Sequence, residues 1–202
     1  SVAMLEAILL AAGYRVGTYT SPHLLRYTER IHVDGWKIDD AVLCDAFEIV
    51  DRARGDIPLT YFEFGTLAAF EIFSRSELDV AVLEVGMGGR LDAVNAWDPD
   101  VALVTAVDVD HAAWLGSDRE TIGREKAGIF RSGRPAVCSD SQPPSSVLEV
   151  ARQMRTSFYG LGVDYNFESH EGTWSWVGKE RRRNALPWPA MRGAAQLQNA
   201  AG

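Results

Sequence analysis

Two short apolar runs, residues 79–83 and 101–107, each end on a cluster of polar residues, and this limits the fold more than any other feature of the chain. Continuous apolar runs of that length suit strands buried on both faces, as in a parallel sheet covered by helices. The stretches around them carry helical spacing instead. Met4, Leu5, Ile8 and Leu9 recur on one face and Gly13 follows as a C-cap, so residues 1–12 predict a helix. Residues 14–19 predict a strand. A loop over 20–24 follows, because Pro22 disfavours helix at Ser21. A charged loop over 26–30, a short edge strand over 31–33 and an amphipathic helix over 39–53 come next. Thr60 and Glu63 have the spacing of a capping box, which opens an apolar helix reaching Phe73. After the two apolar runs, residues 118–131 predict a helix, 134–138 a strand and 143–154 a helix. Between 158 and 188 aromatic and polar residues alternate around Gly172 and Gly178, which predicts antiparallel hairpins, and 194–201 begins another helix.

Helix alternating with strand gives an α/β class: a mostly parallel sheet with helices on both faces, plus a small antiparallel hairpin layer near the C-terminal end. A chain of 202 residues is long enough for one domain, with room for a small appendage. Its net charge of −8 argues against a general nucleic-acid binder or a ligand of acidic membranes. Arg181, Arg182 and Arg183 form a basic run that reads as an exposed hairpin turn. Trp174, Trp176 and Trp188 read as packing in the hairpin layer rather than as a stacking site. Cys44 and Cys138 stand far apart in segments that read as half-buried, which suits free thiols in a reducing cytoplasm. No signal peptide and no apolar run of membrane length is present in the sequence.

The polar clusters carry the chemistry. Glu84 closes the first apolar run and is followed by Gly86, Gly88, Gly89, Arg90 and Asp92. Residues past the carboxyl ends of parallel strands lie where open α/β sheets bind ligands. A carboxylate there can hold Mg²⁺, and the glycines admit a close backbone approach to a substrate; a solvated Glu at an ordinary strand exit fits the spacing equally. The order G-x-G-G-R is not a dinucleotide fingerprint. His111 follows Asp108 and Asp110 after the second run, and an imidazole there can ligate a metal, move a proton or simply cap a loop. These two strand ends predict Glu84 and His111 side by side at one rim. Lys126, between Glu125 and Ala127, reads on its own as a surface helix lysine, and the Ser21 hydroxyl as either a Mg²⁺ ligand or part of a turn.

Together these motifs resemble the bacterial folylpolyglutamate synthase family, and within it the bifunctional dihydrofolate synthase/folylpolyglutamate synthases of the Mur-ligase-like superfamily. The matching segments include Thr20-Ser21-Pro22-His23-Leu24, Arg26-Tyr27-Thr28-Glu29-Arg30, Leu59-Thr60-Tyr61-Phe62-Glu63, the run from Glu84 to Asp92, Asp108 to His111, Gly123 to Phe130, and Gln196-Leu197-Gln198-Asn199. The resemblance implies a P-loop NTPase-like sheet and a single Mur-ligase-like central ATPase domain over residues 1–202. The family's phosphate-binding loop would precede Ser1, and its carboxy-terminal glutamate-ligase domain would follow Gly202. A chain limited to these residues is expected to be inactive.

The same resemblance implies the roles. Glu84 is shared by two Mg²⁺ ions, Ser21 ligates the first and His111 the second, and Lys126 is carried as a carbamate that completes the second site. Thr60, Phe62, Asp92 and Ala93 lie near the pteroate pocket, and Asn199 near the nucleotide. The implied reaction joins L-glutamate to dihydropteroate or folate at the expense of ATP, through an acyl phosphate. The implied enzyme is cytoplasmic and monomeric, with ATP, L-glutamate and dihydropteroate or folate as its partners. Two other readings stay open on the sequence: a pterin-binding module without chemistry, and a Mur-type cell-wall ligase.

Overall fold

The computed structural model describes residues 1–109, 116–191, 193 and 195–202, and these fall into two compact units. The first comprises Ser1–Met87 with Asp92–Ala96. It opens on helix α1 (Val2–Ala11), which ends where Gly13 turns the chain at φ +88°. Strands β1 (Val16–Tyr19), β2 (Ile31–Val33), β3 (Trp36–Lys37) and β4 (Val80–Leu83) form one sheet in the order β3-β2-β1-β4. β1 runs parallel to β4, with Tyr19 opposite Leu83, and antiparallel to β2, with Tyr19 opposite Ile31. Every residue of β1 is buried, as a strand with neighbours on both edges requires.

Helices α2 (Asp40–Arg54) and α3 (Tyr61–Ser74) supply the rest of this core. α3 begins where the capping box predicts. The Glu63 N–H donates to Thr60 Oγ1 at 3.2 Å and the Thr60 N–H donates to the Glu63 carboxylate at 2.7 Å, so two orphan amides of the first turn are satisfied. Its buried face is Ala68, Ala69, Phe70, Ile72 and Phe73, packed with Tyr19 and Ile31. Burial of each large side chain there contributes about 1.5–3 kcal/mol, an upper range because unfolded chains already shield some apolar surface. Gly17 leaves room for this packing, since a Cβ at that position would stand 2.4 Å from Leu78 Cδ1 and 2.9 Å from the Phe73 ring and would make these side chains shift.

The second unit comprises Gly88–Leu91 with Trp97–Gly202. Strands β5 (Ala102–Val104), β6 (Pro135–Cys138) and β7 (Ser157–Gly160) pair in parallel, in that order. They pack with helices α4 (Arg119–Ala127) and α5 (Ser145–Gln153) in a core built on Ile122, Phe130, Ala136, Cys138 and Val147. β8 (Tyr165–Ser169), β9 (Thr173–Gly178) and β10 (Arg182–Pro187) form the antiparallel layer, and α6 (Ala195–Ala201) packs on it through Leu197 and Ala201. Trp174 is buried and donates to the Pro187 carbonyl, and Trp176 stacks on Tyr165 and donates to the Ala201 carbonyl. These two tryptophans are packing residues, as their alternation predicts.

Local differences from the sequence expectations have physical reasons. Residues 27–30 form a 3-10 turn rather than a loop, because the Glu29 carboxylate gathers the amides of Leu24, Leu25 and Arg26. β2 is not an edge strand; the two-residue β3 covers it. β4 is only half-buried, as the outermost strand of its hydrogen-bonded sheet. β7 extends the parallel sheet instead of opening the hairpins. Arg182 and Arg183 belong to β10, where Arg182 pairs with Glu168, so only Arg181 closes the turn. Cys44 is exposed and Cys138 fully buried, both as free thiols.

Candidate functional site

The first unit gathers its site at the ends of β1 and β4. The Glu84 N–H donates to the Tyr19 carbonyl at 2.9 Å, which extends the β1–β4 ladder by one step and fixes the Glu84 backbone. The Ser21 N–H then donates to Glu84 Oε2 at 3.0 Å. On the other side the Thr20 N–H donates to the Arg30 carbonyl at 2.8 Å. The Thr20–Ser21 step is therefore clamped between Arg30 and Glu84. Ser21 and Glu84, proposed as partners from sequence, are in direct contact.

Asp92 shapes the glycine-rich turn. Its Oδ2 accepts from the Met87 N–H and its Oδ1 from the Val94 N–H, both at 3.0 Å. Ala93 follows at the start of a 3-10 turn, Ala93–Ala96. The Phe62 ring lies directly on Gly86, where a Cβ would come within 2.5 Å of it. Thr60, together with Tyr27, Phe47, Tyr61 and Phe64, lines a cavity of about 450 Å³. Phe62 is not among that cavity's lining residues. Burial, with the Tyr19 hydroxyl beside it, pushes the Tyr27 phenol well above its ordinary range and keeps it a neutral donor.

Lys126 and Asn199 belong to the second unit, Lys126 in the last turn of α4 and Asn199 in α6, both half-buried. Asp118 caps α4, its Oδ1 accepting from the Thr121 N–H at 2.8 Å. The polar side chains around Lys126 are engaged. Glu120 accepts from the Ser145 and Ser146 amides, Arg124 pairs with Glu149 at 2.8 Å, and Glu125 pairs with Arg90 at 3.0 Å. Among the described residues, the Lys126 side chain alone of these has no partner.

Sequence spacing did not single out the seat of this turn. Arg90 donates its N–H to the Glu125 carbonyl at 2.9 Å while its side chain meets the Glu125 carboxylate. Gly89 permits the approach, because a Cβ there would lie 2.7 Å from the Glu125 carbonyl oxygen and 2.9 Å from that of Lys126. The glycine-rich motif and the Arg-Glu-Lys motif thus meet through backbone.

His111 lies outside the described residues. No group of three or more His, Cys, Asp or Glu able to hold a metal occurs among the described ones. What the first unit offers is a hard oxygen set, the Glu84 carboxylate and the Ser21 hydroxyl. It suits Mg²⁺, which binds through one or two carboxylates and keeps several waters.

Comparison with known proteins adds the following. A family model described as the Mur ligase middle domain matches residues 55–178. The dihydrofolate synthase/folylpolyglutamate synthase of Escherichia coli (strain K12) is 49% identical over 187 residues, covering 93% of this chain and 44% of that protein. A structure of E. coli FolC in complex with DHPP and ADP superposes with a TM-score of 0.93 at 47% identity, over 98% of this chain and 48% of the other. A bifunctional folylpolyglutamate synthase/dihydrofolate synthase with Mn, AMPPNP and L-glutamate bound gives a TM-score of 0.92 at 50% identity, over 99% and 48% of the two chains. The chain spans less than half the length of the curated relatives it matches here.

Proposed function

The chain belongs to the Mur ligase middle-domain family, and we propose that it is the central ATPase portion of a ligase that joins L-glutamate to dihydropteroate or folate. The observation that carries this reading is Glu84, set at the end of a parallel strand and held there by the Tyr19 carbonyl and the Ser21 amide. Structures of relatives with ADP and DHPP, and with Mn, AMPPNP and L-glutamate bound, support the choice of substrates.

A carboxylate is a poor acyl donor at neutral pH because its leaving group would be oxide. Phosphorylation by ATP converts it into an acyl phosphate, whose leaving group is phosphate, and the glutamate amine then attacks. Both steps concentrate negative charge on oxygen, so the site must neutralise charge and hold the reactants in line. Mg²⁺ supplies that neutralisation when bound; Glu84 and Ser21 would hold one ion, and Glu84, His111 and Lys126 a second. Lys126 can serve only as a carbamate, since an ammonium repels a cation and a carbamate is a carboxylate on a long stem. The half-buried Lys126 side chain, without a partner among the described residues, supports this role. Asp92 holds the glycine-rich turn that carries Gly86 under Phe62, and Asp92, Ala93, Phe62 and Thr60 would bound the pteroate side. Asn199 would contact the nucleotide.

An ATP-consuming reaction on a reduced pteroate suits the cytoplasm, and no helix among the described residues is long and apolar enough to cross a membrane. We assign the enzyme to that compartment as a monomer. The test is Glu84→Gln in the full-length ligase, assayed by phosphate release with dihydropteroate or folate plus glutamate. The amide keeps the shape and loses the charge, so turnover should fall by a factor of at least about 10²–10³ with folding intact. Near-parental turnover at saturating Mg²⁺ would remove Glu84 from the metal site.

A further inference from the structure

Arg30 is 7% exposed, yet among the described residues no carboxylate forms an ion pair with it. Its Nε donates to His23 Nδ1 at 2.9 Å. Its guanidinium carbon stands 5.1 Å from the centre of the Tyr27 ring and 5.6 Å from that of Tyr61. Two ring faces stabilise a cation, but they do not satisfy its N–H donors. The two Nη groups have no hydrogen-bond acceptor among the described residues, and they are absent from the fully enclosed unsatisfied atoms, so they keep a small contact with solvent. A buried charge without a counter-charge is costly unless a partner arrives. A guanidinium in this state presents a planar pair of donors matched to a carboxylate.

Its surroundings indicate what carries that carboxylate. The Arg30 backbone is bonded to Thr20, next to Ser21 and Glu84, so its backbone lies beside the proposed metal-binding pair. Tyr27 and Tyr61, which flank the guanidinium, also line the cavity of about 450 Å³ with Phe47, Phe64 and the Asp51–Arg54 ion pair; Arg30 itself stands behind these two rings and is not a lining residue. That volume and those walls suit a flat aromatic ligand. Leu24 and Leu25, each 89% exposed, lie on the same loop as further apolar surface.

We propose that Arg30 is the anion-recognition residue of this site and takes a carboxylate of the aromatic acceptor substrate. The inference rests on the folate-ligase reading and adds a residue to it. His23 is then a positioning residue: by accepting from Nε it fixes the plane of the guanidinium and leaves both Nη groups for the ligand.

The experiment compares the full-length parental enzyme with Arg30→Met and Arg30→Lys. KM is measured separately for dihydropteroate or folate, for glutamate and for ATP. Equilibrium binding of the acceptor and of its analogue lacking the carboxylate is measured without ATP. Arg30→Met should raise the acceptor KM about 10-fold or more while the ATP KM stays within about twofold. Arg30→Lys should recover part of the loss, because an ammonium restores charge but not the planar fork. The parental protein should prefer the carboxylate-bearing acceptor over its analogue, and Arg30→Met should lose that preference. A purely structural Arg30 would weaken both ligands equally and lower the melting temperature. Equal weakening, an unchanged acceptor KM in a folded Arg30→Met, or a rise confined to glutamate would overturn the proposal. If the parental enzyme ligates neither acceptor, the ligase reading has failed instead, and the binding preference still decides Arg30: kept by the parent and lost in Arg30→Met supports it, no preference overturns it.

Discussion

Gly89→Ala tests the junction between the glycine-rich segment and the Lys126 turn. The new Cβ would sit 2.7 Å from the Glu125 carbonyl oxygen, 2.9 Å from that of Lys126 and 3.0 Å from Ile129 Cγ2. Two of the three atoms are backbone at the end of α4 and cannot swing aside. The strap must lift, and the 2.9 Å bond from the Arg90 N–H to the Glu125 carbonyl lengthens with it. Overpacking of this kind costs about 1–3 kcal/mol and the weakened hydrogen bond about 0.5–1.5 kcal/mol. Alanine restricts the unfolded chain and returns about 0.4–1 kcal/mol. The net loss is about 0.5–4 kcal/mol, which for a chain of this size lowers the melting temperature by roughly 1–16 °C. Gly89 does not have a left-handed φ, so the contact alone is tested. Gly133→Ala is the contrasting variant: its φ is +71° and no atom lies within 4 Å of the new Cβ, so only backbone strain enters. Thermal unfolding followed by circular dichroism reads both. A Gly89→Ala protein melting within about 1 °C of its parent would refute the close backbone seat.

Three further outcomes are expected. Asp92→Ala frees the Met87 and Val94 amides, so it should raise the KM for pteroate or folate several-fold while sparing ATP; the reverse pattern, read by steady-state kinetics, would move Asp92 to the nucleotide side. Lys126→Ala in the full-length ligase should abolish turnover, small carboxylates such as acetate should partly restore it, and mass or ¹³CO₂ labelling of the active enzyme should find a carbamate; a fully active alanine variant returns Lys126 to an ordinary helix lysine. Amide donors lower the Asp118 and Glu120 carboxyl pKa values, from Thr121 and from Ser146 then Ser145 respectively. Folding therefore disfavours their protonation, and their contribution is complete above about pH 5 and fades as pH falls through about 4 and below. The urea midpoint should drop on acidification from pH 7 to 4, and less so in Asp118→Ala/Glu120→Ala; equal acid sensitivity in both proteins would exclude these two groups.

The elements of this chain were legible in sequence because their signals are local. The Thr60 and Glu63 capping box needs only a spacing of three, and it opens α3 where it should. Asp118 caps α4, and the alternating aromatics of β9 bury Trp174 where a two-residue period places them. Boundaries shifted where a non-local partner decided them. The second apolar run, read to residue 107, pairs as a strand only over Ala102–Val104, because the Val107 amide turns to Asp140 at 2.8 Å.

The site was legible in part, and the division follows the reach of each interaction. The family resemblance paired Ser21 with Glu84, whereas the strand-end reading set Glu84 beside His111, which lies outside the described residues; the parallel pairing of β1 with β4 is what brings Ser21 and Glu84 together. The Arg90–Glu125 clasp could not be read from sequence, since its ion pair joins positions 35 residues apart with no local spacing to reveal it, and its second bond, to a backbone carbonyl, leaves no mark on residue choice. What does leave a mark is the space such a contact requires. Gly89 and Gly128 each stand where a Cβ would collide with the opposite strap or helix, Gly128 at 2.4 Å from Arg90 Cβ. The glycines of this chain therefore have two physical origins. Those at turns, such as Gly13 and Gly133, satisfy a positive φ that their neighbours in sequence dictate. Gly89 and Gly128 satisfy a distance, and their reason becomes visible only when the two motifs are folded against each other.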